Sequence, residues 1–248
     1  SRPGAHDPAQ LRQPDPASVD RVLAVRPRIV TLAPELPGGL EAIARLAGAG
    51  VVVSVGHSEA PEEVARAGFW AGARMATHLF NAMSPLAHRA PGVPGAVLTI
   101  PWVTTGLIAD GVHVSPALLE IAGRLKGPAG IALTSDAVAA AGAPPGRFQL
   151  GGRVVVSDGV RITLEDGITL AGSIATTDVL VRTMAKLPGI GLQAAIAMVT
   201  STPARLLGET GWGVLRVGAA ADLVLLDRDL QVHATLVGGE IAHRRGLA

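Results

Sequence analysis

With 248 residues, 21 Lys and Arg against 20 Asp and Glu, and a net charge of +1, the chain is long enough for one large domain, alone or with a small satellite, and has no charge excess to draw it to nucleic acid or anionic membranes. The absence of cysteine excludes disulfides and thiolate chemistry and fits a cytoplasmic setting. Mean hydropathy is high, +0.40. Its Ala, Val and Leu nevertheless come in short runs broken by Gly, Pro or charge, so no stretch approaches the ~18 to 20 apolar residues of a membrane-spanning helix.

Residues 1–15 read as a loop, because Pro3, Gly4, Pro8 and Pro14 leave little room for regular structure. A short helix is predicted from Ser18 to Val25. Strand-like and helix-like segments then alternate. The apolar, β-branched runs Ile29 to Leu32, Val51 to Val55, Arg74 to Thr77, Val103 to Ile108 and Ile131 to Thr134 read as buried strands. Helical patterns lie at Leu40 to Ala49, Pro61 to Ala71 and Pro116 to Leu125, while a Pro/Gly-rich loop follows Met83. This is a βα repeat with a parallel sheet.

From Gly146 to Leu170 the pattern shortens and alternates around the turn dipeptides Asp158-Gly159 and Asp166-Gly167, predicting a β-hairpin excursion. Helices are expected at Thr176 to Leu187, Leu192 to Thr200 and Pro203 to Leu207, with Thr202 as N-cap and Pro203 at the first helical position. Gly151-Gly152 and Gly238-Gly239 match no phosphate-loop pattern and read as turns. The tail from Gly213, with strand-like runs at Ala221 to Asp227 and Thr235 to Gly239, is assigned to a small β domain. The expected division is thus 1–212 and 213–248.

Polar and ionisable residues collect just after the strands: Glu35, His57, His78, Asp110 with His113, and Asp136. In parallel α/β folds the carboxyl ends of the strands carry the chemistry. Neighbouring strands lie about 4.8 Å apart, so His57 and His78 could share one Zn²⁺ or Fe²⁺, although two imidazoles make an incomplete site. Asp136 could serve a metal-activated water as general base and then a leaving group as general acid, or simply cap a turn. His113 could donate to a substrate carbonyl or bind an anion, or face solvent. Arg89, eleven residues after His78, could fork onto a phosphate or lie on the surface.

Eight runs in unbroken order bear a resemblance to one family: Gly4-Ala5-His6-Asp7-Pro8, Thr31 to Glu35, Gly56-His57-Ser58, Thr77-His78-Leu79-Phe80-Asn81-Ala82-Met83, Ala109 to His113, Thr134 to Ala137, Leu170 to Ser173 and Pro203-Ala204-Arg205. Of these the run His78 to Met83 is the most specific. Through them the chain resembles the N-acetylglucosamine-6-phosphate deacetylases of the metal-dependent amidohydrolase superfamily.

The resemblance implies an α/β fold, a (β/α)8 TIM-type barrel of the amidohydrolase type of which strands 4 to 8 are present here, with part of a small β-sandwich domain. It implies that His57 and His78 ligate a divalent metal, Zn²⁺ or Fe²⁺, and that Asp136 is the catalytic acid/base. Asn81, Ala82 through its backbone, and Arg89 would hold the sugar phosphate, and His113 would contact the substrate near the acetamide carbonyl. A third protein ligand, a Glu in a Glu-Gly-Pro run, would lie before Ser1, so the chain is expected to be truncated; Glu35 is not the family's ligand.

A homodimer, in which the partner subunit could supply a phosphate-binding side chain, and a cytoplasmic amino-sugar phosphate deacetylase are the implied setting. The alternatives are another amidohydrolase, acting on a different amino-sugar phosphate or a cyclic amide, and an inactive sugar-phosphate-binding homologue.

Overall fold

The structure, a computed structural model, describes residues 2–246; residues 1, 247 and 248 of the two expected domains lie outside them. Five short strands, β1 (Ile29–Leu32), β2 (Val52–Val55), β3 (Met75–Ala76), β4 (Thr104–Leu107) and β5 (Ile131–Leu133), form one parallel sheet in chain order. Ile29 pairs with Val52, Val55 with Ala76, Met75 with Thr104 and Thr105 with Ile131. Parallel neighbours need a crossover, and helices α2 (Gly39–Gly48), α3 (Glu62–Trp70), α4 (Gly92–Thr99) and α5 (Pro116–Lys126) supply one after each of the first four strands. Helix α1 (Pro16–Ala24) precedes them, its first turn capped by Asp15, whose carboxylate accepts from the Ser18 amide at 2.8 Å.

Every residue of β2 is buried, as expected for a strand covered on both faces. Ile43 and Leu46 of α2, Phe69 of α3, Leu107 of β4, Leu119 of α5 and Ile131 of β5 meet in the same core. Burying each such side chain contributes roughly 1.5 to 3 kcal/mol.

Helix α4 departs from expectation, since the sequence Gly-Val-Pro-Gly-Ala-Val-Leu-Thr reads as loop. Pro94 falls in the first turn, where no intrahelical amide bond is lost. Gly92 at φ +57 lets the chain pass Ser84 so closely that an added Cβ would lie 2.3 Å from its Oγ. That hydroxyl accepts from the Val93 amide at 2.9 Å and donates to the Ala60 carbonyl at 2.9 Å. The helix is buried from Gly92 to Leu98, so tertiary burial rather than local propensity forms it. At its far end the buried Lys126 Nζ donates to the carbonyls of Val97 at 3.0 Å and Ile100 at 2.6 Å.

After β5 the chain forms an antiparallel sheet, β6 (Gly146–Leu150), β7 (Arg153–Ser157) and β8 (Ile162–Leu164), in the order β6-β7-β8. Gly151-Gly152 turns β6 into β7. Asp158 and Asp166 close the next two turns, each Oδ1 accepting two following amides. Ala140, Val155, Ile162, Leu164 and Ala171 form a small second core.

Helices α6 (Thr177–Ala185), α7 (Gly191–Val199) and α8 (Ser201–Leu206) follow. Thr202 is not the N-cap expected: it lies inside α8, its hydroxyl donating to the Pro128 carbonyl at 2.7 Å, so a tertiary partner took the side chain that a local cap would have used. Residues 8–10 form a single 3-10 turn in the expected loop. The tail forms a third, antiparallel sheet, β11-β10-β9, from β9 (Leu223–Leu226), β10 (Val232–Val237) and β11 (Glu240–Arg244). Among the described residues no helix is long and apolar enough to cross a membrane.

Candidate active site

The expected site residues other than Arg89 converge at the carboxyl ends of β2, β3, β4 and β5, and local packing explains how each is aimed. Beyond β2, an added Cβ on Gly56 would lie 2.7 Å from Thr77 Cβ and 2.9 Å from Thr31 Cγ2, so only glycine fits between the ends of β1 and β3. There Thr77 Oγ1 meets Thr31 Oγ1 at 2.9 Å and Ser54 Oγ at 2.6 Å. Past this close approach His57 turns at φ 51. The Glu35 carboxylate, at the end of β1, accepts from Ser58 Oγ at 2.6 Å and the Glu59 amide at 2.7 Å, fixing the chain just after His57.

The Nδ1 of His57 lies 2.8 Å from the Arg2 carbonyl. A carbonyl can only accept, so Nδ1 carries the proton and Nε2 presents a lone pair. That Nε2 stands 3.1 Å from the Nε2 of His78, which is 7% exposed. Burial pushes both histidines below the ordinary imidazole range, with the Arg2 carbonyl opposing this at His57 and the Asp136 charge opposing it at His78. Two neutral imidazoles thus face one point.

Two nitrogen ligands at 2.0 to 2.1 Å around a tetrahedral ion stand about 3.3 Å apart, so the pair fits two positions of a divalent metal. The His78 Nδ1 is buried without a partner, which leaves Nε2 as the nitrogen this ring has engaged. Among the described residues no group of three or more His, Cys, Asp or Glu side chains could hold a metal; the fit is therefore to part of a ligand set.

Asp136, beyond β5, sits at φ 52. Its carbonyl accepts from the Ser173 amide at 2.8 Å, the Val138 amide donates to the Ser173 carbonyl at 3.1 Å, and Ala137 and Ser173 pair as a parallel bridge. Gly172 at φ +74 permits this clamp, since an added Cβ would be 2.7 Å from the Asp136 carbonyl oxygen. Asp110, beyond β4, accepts at Oδ1 from the amides of Val112 and His113, both at 2.9 Å, and at Oδ2 from His113 Nδ1 at 2.7 Å. Burial would raise the Asp110 carboxyl, but these donors outweigh it and hold it down at about 2.

The segment after β3 turns sharply, with positive φ at His78, Phe80 and Ala82. Asn81 secures it: its amide nitrogen donates to the carbonyls of His78 at 3.3 Å and Leu79 at 3.2 Å. The Ala82 carbonyl accepts from the Ser58 amide at 3.1 Å, tying the two histidine loops together.

His57, His78, Asn81, Ala82, His113 and Asp136 line one cavity of about 830 Å³, with Leu150, Ile168 and Leu170 of the β6–β8 region as its apolar wall. Arg89 does not line it; it lies exposed on the loop closed by the Ala87–Ala90 bridge. A second cavity of about 600 Å³ shares His57, His78 and Asp136 and reaches Thr31 and Thr77. The structure adds His6 and Arg2, which line both cavities. The His6 and His57 ring centroids are 4.9 Å apart. A histidine in a Pro-rich loop offered no periodicity to place it; the Gly4 to Pro8 run was its only signal.

Comparison with known proteins places the chain among amidohydrolases. The Amidohydrolase family model matches residues 8–242. The human N-acetylglucosamine-6-phosphate deacetylase is 42% identical over 249 residues, covering 96% of this chain and 61% of the relative. The N-acetylgalactosamine-6-phosphate deacetylase of Escherichia coli O157:H7 is 41% identical over 244 residues, covering 96% and 64%. A solved mutant of the Mycobacterium smegmatis N-acetyl-D-glucosamine-6-phosphate deacetylase, in complex with N-acetyl-D-glucosamine-6-phosphate, superposes with a TM-score of 0.93 at 41% identity, covering 97% of this chain and 65% of that one. The chain therefore spans less than two thirds of the length of each of these relatives.

Proposed function

Because the chain belongs to the Amidohydrolase family, whose fold is the TIM-barrel amidohydrolase type, we propose that it carries the catalytic face of a metal-dependent deacetylase that hydrolyses the acetamide of N-acetylglucosamine 6-phosphate to glucosamine 6-phosphate and acetate. The observation that carries this reading is the pair of Nε2 atoms 3.1 Å apart in a cavity shared with Asp136. His57 and His78 would hold the metal, zinc or iron(II). When bound, such an ion acidifies water and polarises the acetamide carbonyl.

Asp136 does the proton work. It takes a proton from the attacking water as the C–O bond forms and delivers it to the nitrogen as the C–N bond breaks, ending ionised as it began. His113 contacts the substrate near the acetamide, and Asn81 and the Ala82 backbone hold the phosphate, so that binding energy at the far end orients the scissile bond. Arg89 completes phosphate binding. Its exposed loop supports a homodimer in which this side chain serves the partner's cavity. A division at about residue 212 into a catalytic barrel portion and a small β-sandwich, and a cytoplasmic location, belong to the same proposal.

A substrate panel assayed on the whole protein tests this reading. N-acetylglucosamine 6-phosphate should be deacetylated at least about tenfold more efficiently than unphosphorylated N-acetylglucosamine, the equivalent of roughly 1.4 kcal/mol of phosphate binding. Equal turnover of the two sugars, or none of either, overturns it. The galactosamine epimer belongs in the panel because a relative 41% identical is named for it.

A further inference from the structure

Asp110 is an ionised, buried carboxylate for which the proposed chemistry has no use, yet three hydrogen bonds hold it in place. Its side chain is 5% exposed and that of His113 6%. One oxygen takes the two backbone amides of its own turn and the other takes His113 Nδ1. A carboxylate can only accept, so the Nδ1 of His113 must carry a proton, and Nε2 is the nitrogen that the ring has to offer the cavity it lines. The backbone bonds also hold the carboxylate against rotating away, since any rotation that frees His113 leaves two partly buried amides unpaired.

We propose that Asp110 is a positioning residue which fixes both the orientation and the tautomer of His113, so that Nε2 faces the substrate as an acceptor in the neutral ring. In that state His113 receives a substrate hydroxyl or N–H and rejects a carbonyl or phosphate oxygen, which offer no proton. This inference rests on the proposed deacetylase reading for the identity of the substrate, but the state of the ring does not depend on it.

Replacement by asparagine distinguishes positioning from mere packing. In Asp110→Asn the amide oxygen can keep the two backbone donors, which turns the NH₂ group toward His113. Nδ1 must then accept, and the proton moves to Nε2. The same reversal in a Ser-His-Asp triad costs about 10⁴-fold in kcat, and a substrate-contacting group that is not the main acid/base should lose on the order of 10²-fold.

Long-range ¹H–¹⁵N spectra of the zinc-loaded whole protein, without substrate, read the tautomer directly, with the His113 signals assigned by comparison with His113→Gln. The expected result is a protonated Nδ1 and bare Nε2 in the wild type, reversed in Asp110→Asn, with unchanged metal content and kcat/KM down about 10²-fold. A wild-type ring protonated mainly on Nε2 overturns the proposal even if the variant fails to fold. So does an Asp110→Asn protein that folds and turns over at the wild-type rate. Absence of deacetylation in the wild type would defeat the functional reading instead, and leave the spectra to decide this one.

Discussion

His57, His78 and Asp136 share an uncommon backbone: all three have positive φ, as do Phe80 and Ala82, whereas only Arg26 and Leu230 are so placed elsewhere among the described non-glycine residues. Such conformations persist only where the surroundings over-determine them, and here Gly56, Glu35, Asn81 and the Gly172-Ser173 clamp do so. The chemistry then makes separable demands on these residues. Asp136→Asn should keep its metal, measured by elemental analysis, and lose about 10² to 10⁴-fold in turnover; turnover at the wild-type rate would exclude Asp136 as the acid/base. Asp110 makes a prediction about acid. Its folded pKa, about 2, lies below the 3.8 of an ordinary aspartate, so its stabilisation is present above about pH 3.8 and is lost as pH falls through about 2. The corresponding contribution is about 2 kcal/mol. Chemical denaturation at pH 5 and pH 2 should therefore show a smaller acid-induced loss in Asp110→Asn than in the wild type.

The elements that present these residues are short and tightly spaced, so single atoms decide their geometry. Gly56→Ala forces a methyl against Thr31 and Thr77, across the ends of β1, β2 and β3; overpacking of this kind costs roughly 1 to 3 kcal/mol. The thermal midpoint of that variant should fall, and its metal occupancy with it, because His57 follows directly. Lys126 makes the second test, at the end of α4. Burial pushes its amine down to about 8 from 10.5. Between those values the unfolded chain binds more protons than the folded one, so stability rises with pH across that window. A neutral amine still donates to Val97 and Ile100, and the α4 cap survives the change. Denaturation at pH 7.5 and 9.5 should show the wild type gaining stability relative to Lys126→Met, and a pH-independent difference between the two would contradict the assignment.

For the whole molecule, a metal held by the folded state and not by the unfolded chain couples the site to stability by mass action, by about 2.7 kcal/mol at a hundredfold excess over Kd. Chelation should lower the thermal midpoint of the whole protein and abolish turnover, and stoichiometric readdition should restore both; a midpoint indifferent to chelator would count against His57 and His78 as ligands. The apolar wall from Leu150, Ile168 and Leu170 belongs to the antiparallel β6–β8 insertion rather than to the parallel sheet. The cavity is thus assembled from two differently built parts of the chain, and its lining residues run from Arg2 to Gly172.

Much of this was legible in order along the chain. β-branched runs of four or so residues, alternating with amphipathic helices, dictate a parallel βα sheet because no other arrangement buries both faces of such strands. Polar residues placed just past those runs must then gather at one rim, and this is why His57, His78, His113 and Asp136 could be named from sequence. Asp-Gly and Gly-Gly pairs likewise specified the turns of the hairpin region, since their φ requirements are local. What local chemistry does not contain is the partner of a side chain distant in sequence. Helix α4 forms because Ser84 caps it and the core surrounds it, Thr202 abandons its cap for Pro128, and Arg89 stands outside the cavity its spacing suggested. The proton on His57 is likewise decided by the carbonyl of Arg2, and that on His113 by the buried carboxylate of Asp110. Sequence determines which groups arrive at the rim through burial and periodicity; only the folded chain, by supplying acceptors and excluding water, determines which nitrogen each imidazole presents.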